Sequence, residues 1–323
     1  MFNHGWTYRD TADSPGGVVE FYAARYRHSP AGVWRERAAM GEISVNGEVA
    51  SPGSRLRRGD ILEWRRPPWC EGQYPESVPI VYEDESIVIV DKPAGLAAMP
   101  DGGWLENTLV GWLGRHYCGG RVAPAHRLNR GTSGLVACAR TKAAKASLAR
   151  QFLDKTASPS APMEKIYLAL SSGLRGARPG DKAIVETPVG LVPHPLLGKV
   201  YAASPAGKPA RSECEVVGAG EGWLLWRVRL VTGRAHQIRI HLASIGCPLI
   251  GDTGFLPGGA PNPFSNPGGT GYFLRAVRLA LEHPGTGVLM VFEVDAGISA
   301  PECAKFGLAG VRRGDCRGWR GWP

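Results

Sequence analysis

His126-Arg127-Leu128-Asn129-Arg130-Gly131-Thr132-Ser133-Gly134-Leu135 lies between two apolar stretches, yet it is too polar and too rich in glycine to be a core strand. Polar loops carried on rigid elements are where folds present side chains to ligands. The segment therefore reads either as such a presenting loop or as an ordinary turn. Working outward, Ile87-Val88-Ile89-Val90 reads as a strand and runs directly into Asp91-Lys92-Pro93-Ala94-Gly95-Leu96. Downstream, Lys165-Ile166-Tyr167-Leu168-Ala169-Leu170 alternates, with Lys165, Tyr167 and Ala169 on one face and Ile166, Leu168 and Leu170 on the other. The commoner fate of a tyrosine in such a strand is a core position with its hydroxyl satisfied. In Thr232-Gly233-Arg234-Ala235-His236-Gln237-Ile238-Arg239-Ile240-His241-Leu242 a strand ends in a glycine turn and a helix begins. That gathers Arg234, His236, Gln237 and Arg239 near the helix start, donors suited to a carboxylate or a phosphate. His236 and His241 are five residues apart, about 140° around a helix, which does not suit a shared metal.

The 323 residues carry 38 Lys and Arg against 29 Asp and Glu, a net charge of +9. A basic balance favours a polyanionic partner, because neutralised phosphates release counterions. Composition is that of a soluble globular protein, and 44 Gly with 26 Pro point to many turns rather than a helical bundle. No apolar run is long enough to cross a membrane. Met1–Asp10 has neither the apolar core of a secretory signal nor an Arg-rich amphipathic pattern. A cytoplasmic location is expected, with an organellar address left open. The seven cysteines (Cys70, Cys118, Cys138, Cys214, Cys247, Cys303 and Cys316) are odd in number, widely spaced and free of any C-x-x-C. Neither a zinc site nor a disulfide framework is expected, and those inside apolar runs, such as Cys138, read as small core residues in a reducing compartment.

A first unit spans about 18–69. It has helices over Val18–Tyr26 and Gly32–Met40, studded with Arg25, Arg27, Arg35 and Arg37, and a hairpin around Asn46-Gly47. Arg55, Arg57 and Arg58 precede a closing strand from Ile61. Pro67–Pro79 reads as a linker, and Ile87 opens the main domain. A helix is expected over Thr141–Leu153, with Ala146, Ala149, Phe152 and Leu153 towards one side, followed by a loop over Thr156–Pro162. Strands are expected at Ile166–Leu170 and Trp223–Val231, and a helix at His236–Ile245 from the spacing of Ile238, Leu242 and Ile245. Pro257–Gly271 reads as a mobile loop. Strands dominate and helices are irregularly interspersed, so the fold class is α+β with a mixed or antiparallel sheet.

Taken together, these segments resemble the RluA-type RNA pseudouridine synthases. The matches are Asp91-Lys92-Pro93-Ala94-Gly95, His126-Arg127-Leu128 with Thr132-Ser133-Gly134-Leu135, Lys165-x-Tyr167, Thr232-Gly233-Arg234-x-His236-Gln237-Ile238-Arg239-x-His241, and Gly246-x-Pro248-x-x-Gly251-Asp252. They occur in the family's order across about 78–294 and look closest to a plant-type branch whose loop reads H-R-L-x-R-G-T-S-G. The N-terminal unit resembles the small α-L RNA-binding module, on Val45-Asn46-Gly47-Glu48-Val49 and Leu56-x-x-Gly59-Asp60. The resemblance implies a small α-L-like module at 18–69, a pseudouridine synthase domain at 78–300 and a basic tail at 310–323.

The resemblance further implies conversion of uridine to its C-glycoside isomer in RNA, without cofactor or metal, on a base taken out of the stack. It assigns catalytic positions to Asn129, Tyr167 and Arg239. Tyr167 would stack on the base and take part in the last proton removal, and Arg239 would pair with the catalytic aspartate. RNA contacts are expected from Arg127 and Arg130, with Lys92 and Arg234 supporting the cleft or touching phosphate, and from Arg25, Arg57 and Arg58. The partner is RNA, ribosomal or transfer, with no membrane association and a monomeric chain. Two departures stand out. Asn129 occupies the position of the catalytic aspartate, and loss of a positioned acid–base group costs about 10²–10⁴-fold in rate. Arg275 lies in Leu274-Arg275-Ala276, where relatives often have Leu-His-Ala. Two readings follow: a synthase that works despite Asn129, or an RNA-binding protein of the same fold, a chaperone or assembly factor, that performs no chemistry.

Overall fold

In the computed structural model, residues 2–118, 121–157, 163–173 and 176–296 are described. The chain divides into two compact units, Met1–Gly72 with Pro193–Lys199, and Gln73–Val192 with Val200–Pro323.

The first unit runs β1 (Trp6–Thr11), β2 (Gly16–Gly17), α1 (Val18–Arg25), α2 (Ala31–Ala39), β3 (Ile43–Val45), β4 (Glu48–Val49), β5 (Arg55–Leu56) and β6 (Ile61–Arg66). Its main sheet is ordered β1-β6-β3-β4. Asn46 and Gly47 both have positive φ, 51° and 90°, and join Val45 to Glu48 in the two-residue turn that the Asn-Gly pair favours. The core is aromatic. Tyr22 stacks on Trp34 at 4.9 Å and Tyr8 on Trp64 at 4.8 Å, while the Arg37 guanidinium lies over both tryptophans. Strand β1 precedes the boundary expected at Val18. Most of its residues are exposed, so it shows no clean apolar alternation.

The second unit contains β7 (Ile80–Glu83), β8 (Ile87–Lys92), α3 (Leu109–His116), β9 (Ala123–Pro124), β10 (Ser133–Ala139), α4 (Lys142–Ala157) and β11 (Glu164–Ser172). It continues with β12 (Lys182–Val185), β13 (Val189–His194), β14 (Gly198–Ala203), β15 (Ser212–Gly220), β16 (Trp223–Leu230), α5 (Gln237–Ser244), β17 (Leu274–Glu282) and β18 (Leu289–Glu293). A ten-stranded sheet runs β12-β15-β16-β11-β17-β10-β8-β7, with β18 added beside β17 and β9 beside β10. The fold is thus α+β around a mixed sheet. The parallel contact is brief, Ser133 to Arg275 and Gly134 to Ala276. Gly134 has φ 108°, and a Cβ there would meet the Ala276 carbonyl oxygen at 2.1 Å. Only glycine permits this approach.

Alternation along the strands feeds two buried layers. Val88, Val90, Val136, Tyr167 and Ala169 pack with Leu109 and Leu113 of α3 and Ile238 and Leu242 of α5. Ile87, Ile89, Leu135 and Ala137 pack with Ala144 and Leu148 of α4. The face of α4 corrects the sequence expectation: Ala146, Ala149 and Leu153 are exposed, and Ala144, Leu148 and half-buried Phe152 turn inward at i, i+4, i+8. Thr141 caps this helix through Oγ1, which accepts from Ala144 N at 3.0 Å. Thr156 and Ala157 continue the helix rather than opening the expected loop; 158–162 lie outside the described residues, as does the basic tail. Cys138, Cys214 and Cys247 are buried, whereas Cys70 and Cys118 are exposed. No helix among the described residues is long and apolar enough to cross a membrane.

Candidate active site

The loop 126–132 enters β10 immediately before the parallel contact with β17. Leu128 anchors it in the core, and Thr132 N donates to Asn129 O at 3.0 Å to close a turn. A Cβ on Gly131 would come within 2.8 Å of the Tyr272 ring, so the loop packs directly on that aromatic. Tyr167 reaches the same place by sheet register. It pairs with Ala276 of β17, and Ala276 pairs with Gly134 at the loop's exit. Its ring is buried in the core at 6% exposure. Burial holds this phenol well above its ordinary pKa.

The opposite wall comes from the start of α5. His236 sits at the helix N-cap in the left-handed region, φ 56° and ψ 15°, an uncommon conformation for a non-glycine residue. This twist turns its imidazole towards the loop. Asn129 Nδ2 and Arg239 Nη1 both lie 3.0 Å from His236 Nδ1. An arginine can only donate, so Nδ1 carries no proton and Asn129 presents its amide NH₂ to it. Burial first and Arg239 second push the His236 pKa down to about 3, which keeps the ring neutral. The Tyr272 hydroxyl lies 3.4 Å from Thr132 Oγ1.

Arg239 is 1% exposed. Its Nε and Nη2 clamp the Asp252 carboxylate at 2.7 and 2.6 Å, and Nη1 donates to Pro267 O at 2.5 Å. The guanidinium lies over both Tyr272 and Phe255, at 4.4 and 4.9 Å. Residue 129 is therefore linked to Arg239 through His236, and the carboxylate partner of Arg239 is Asp252. The resemblance had placed residue 129 opposite this arginine and left Asp252 outside the loop.

Lys92 is fully buried at the end of β8, where its ammonium donates to Pro93 O and Leu96 O at 2.9 and 2.7 Å. Desolvation pushes its pKa down to about 7. Lys92 holds the Asp91–Leu96 turn closed. Gln237, grouped with the donors from sequence, also proves structural: Oε1 accepts from Thr232 Oγ1 and Arg234 N, and Nε2 donates to Arg211 O and Ser212 Oγ. His241 lies elsewhere, with Nε2 donating to Thr187 O at 2.9 Å. Arg275 makes a bidentate pair with Asp91 at 3.0 and 2.7 Å and also donates to Asp295 O. Of the arginines assigned to RNA, Arg127 is exposed and close enough to His236 to lower its pKa, and Arg130 lies over the Trp104 ring. Arg234 donates from Nε to Pro209 O. Arg25, which pairs with Asp10, and the exposed Arg57 and Arg58 belong to the first unit.

Comparison with known proteins gives this cleft a context. The family model for RNA pseudouridylate synthase matches residues 86–244. A protein described as an uncharacterized RNA pseudouridine synthase of Synechocystis sp. is 35% identical over 82% of this chain and 89% of its own length. RNA pseudouridine synthase 5 of Arabidopsis thaliana is 37% identical over 81% of this chain and 78% of its own, in line with the plant-type resemblance. Among solved structures, human RNA Pseudouridylate Synthase Domain Containing 1 shares the fold at TM-score 0.53 and 22% identity, covering 73% of this chain and 91% of that one. The loop carrying Asn129, the strand carrying Tyr167 and the helix carrying Arg239 all fall inside the matched span, and this chain belongs to the RNA pseudouridine synthase family.

Proposed function

We propose that the cleft between the 126–132 loop, β11 and the start of α5 isomerises uridine to pseudouridine in structured RNA, ribosomal or transfer. The observation that supports this most is the hydrogen-bonded wall Asn129–His236–Arg239–Asp252, in the same unit as buried Tyr167. In the isomerisation the N1–C1′ bond breaks with its electron pair left on uracil, uracil turns, C5 bonds to C1′, the C5 proton leaves to solvent and N1 takes one up.

Tyr167 meets the base as a neutral phenol, because its raised pKa removes phenolate from the working range. Its part is to give the base a stacking platform and a hydroxyl partner. Asn129 brings no charge. With its NH₂ turned to His236, its carbonyl dipole is left to stabilise positive charge developing at C1′, a smaller effect than a carboxylate gives. Arg239 acts by holding His236 and the Asp252 and Pro267 segments in place. Arg127 and Arg130 engage phosphates around the extruded nucleotide. The chain acts as a monomer.

A pseudouridine map of total RNA, made with and without the gene, tests the reading. At least one uridine position is expected to lose its modification on deletion and regain it on complementation. An unchanged map contradicts it.

A further inference from the structure

Among the exposed large apolar side chains described in the second unit, Phe264 is the most open, at 90%. Scattered exposed apolar residues are common and need no function. Phe264 differs in how it is held. The segment 252–267 forms a collar around Arg239: Asp252 clamps its guanidinium, Pro267 O accepts from Nη1, and Phe255 lies beneath it. A Cβ on Gly254 would come within 2.8 Å of Nη2, so no larger residue fits there without displacing the arginine.

The collar read from sequence as mobile is instead closed by its own polar groups. Asn262 Oδ1 accepts from Phe264 N at 3.1 Å, and Asn262 Nδ2 donates to Thr253 O at 2.9 Å. Ser265 Oγ donates to Thr253 Oγ1 at 2.9 Å, and Asn266 Oδ1 accepts from Gly268 N at 2.7 Å. Pro261, Pro263 and Pro267 further restrict the backbone. The ring is thus presented from a braced loop, three residues from the carbonyl bonded to Arg239.

A rigid aromatic projecting into solvent beside a cleft for an extruded nucleotide has a natural occupant. Unpaired RNA bases offer π-faces of any sequence to aromatic side chains. We propose that Phe264 stacks on an unpaired base next to the target uridine, so that the loop holding Arg239 also grips the opened RNA. This rests on the RNA-acting reading above but is tested apart from turnover.

The probe is a short single-stranded oligoribonucleotide of mixed sequence carrying one 2-aminopurine, titrated with the full chain at one fixed salt concentration. Wild type is expected to quench the 2-aminopurine on binding. Phe264→Ala and Phe264→Leu are expected to lose the quench and bind about tenfold more weakly, whereas Phe264→Tyr and Phe264→Trp keep both. Because the ring packs on nothing, all four variants are expected to match wild type in thermal stability. Unchanged affinity and quenching in Phe264→Ala overturn the proposal. So does a change confined to self-association of the free protein, which assigns Phe264 to a protein contact. Phe264-dependent quenching without any pseudouridine formation supports the stacking role and counts against the proposed chemistry. Pseudouridine formation with Phe264-independent quenching does the reverse.

Discussion

Two arginine–carboxylate pairs in the second unit, one buried and one half-buried, use the same bidentate chemistry for different ends. Arg239 and Asp252 are 1% and 2% exposed, and the guanidinium also holds His236 and Pro267 O, so its donors tie the start of α5 to the 252–267 segment. Arg275 and Asp91 are 12% and 18% exposed and tie β17 to the end of β8 beside the parallel contact with β10. The first pair is part of the site. The second braces the sheet on which the site stands. The difference teaches that a buried ion pair becomes functional through what else its arginine holds.

The largest expected effect comes from breaking the inner pair. Arg239→Ala or Asp252→Ala leaves an uncompensated buried charge, and chemical denaturation is expected to show a loss of about 3–5 kcal/mol together with loss of pseudouridine formation. The double variant Arg239→Met/Asp252→Leu sharpens the contrast. It is expected to recover much of the stability and none of the activity, because His236 and Pro267 still lack their donor. Recovered activity would show that Arg239 does nothing beyond neutralising Asp252. At the outer pair, Arg275→Ala is expected to cost about 1–3 kcal/mol, since water reaches both partners. Here Arg275→Met/Asp91→Leu is expected to restore stability and activity together.

A smaller effect is set by pH. Burial pushes His241 down to about 4 and His236 down to about 3, whereas both titrate near 6.5 in the unfolded chain. Between those values the unfolded state binds the extra protons, so stability is full above about pH 6.5 and falls as pH drops towards 4. One such histidine costs about 2 kcal/mol at pH 5. Melting curves from pH 7 to pH 5 should show the decline, and His241→Gln, which keeps a donor for Thr187 O, should flatten part of it. An unchanged slope removes His241 from the account.

Much of this was legible in the sequence where local pattern decides. Alternation around Tyr167 gave both faces of β11 correctly, the Asn46-Gly47 pair gave the hairpin, and Ile238 and Leu242 gave one packed face of α5, though Ile240 and Ala243 bury another. What was not legible depended on partners chosen by the fold. Asp252 follows Arg239 by 13 residues and Asp91 precedes Arg275 by 184, and no pattern ties either pair together. The left-handed turn at His236 decides that Asn129 meets imidazole rather than guanidinium, and histidine gives no local signal for it. Lys92 follows an apolar strand and a charged Asp91, so its complete burial was invisible until the Pro93–Leu96 carbonyls closed around it.

Residue 129 joins the inner pair to the chemistry, because its amide bonds the same His236 Nδ1 that Arg239 holds. The most direct test is pseudouridine formation in total RNA by the purified chain, compared among wild type, Asn129→Ala and Asn129→Asp. Wild type is expected to form pseudouridine, and Asn129→Ala to form it at least about tenfold more slowly, as removal of a transition-state dipole requires. A wild type that binds RNA and forms none, beside an Asn129→Asp variant that does, contradicts the account.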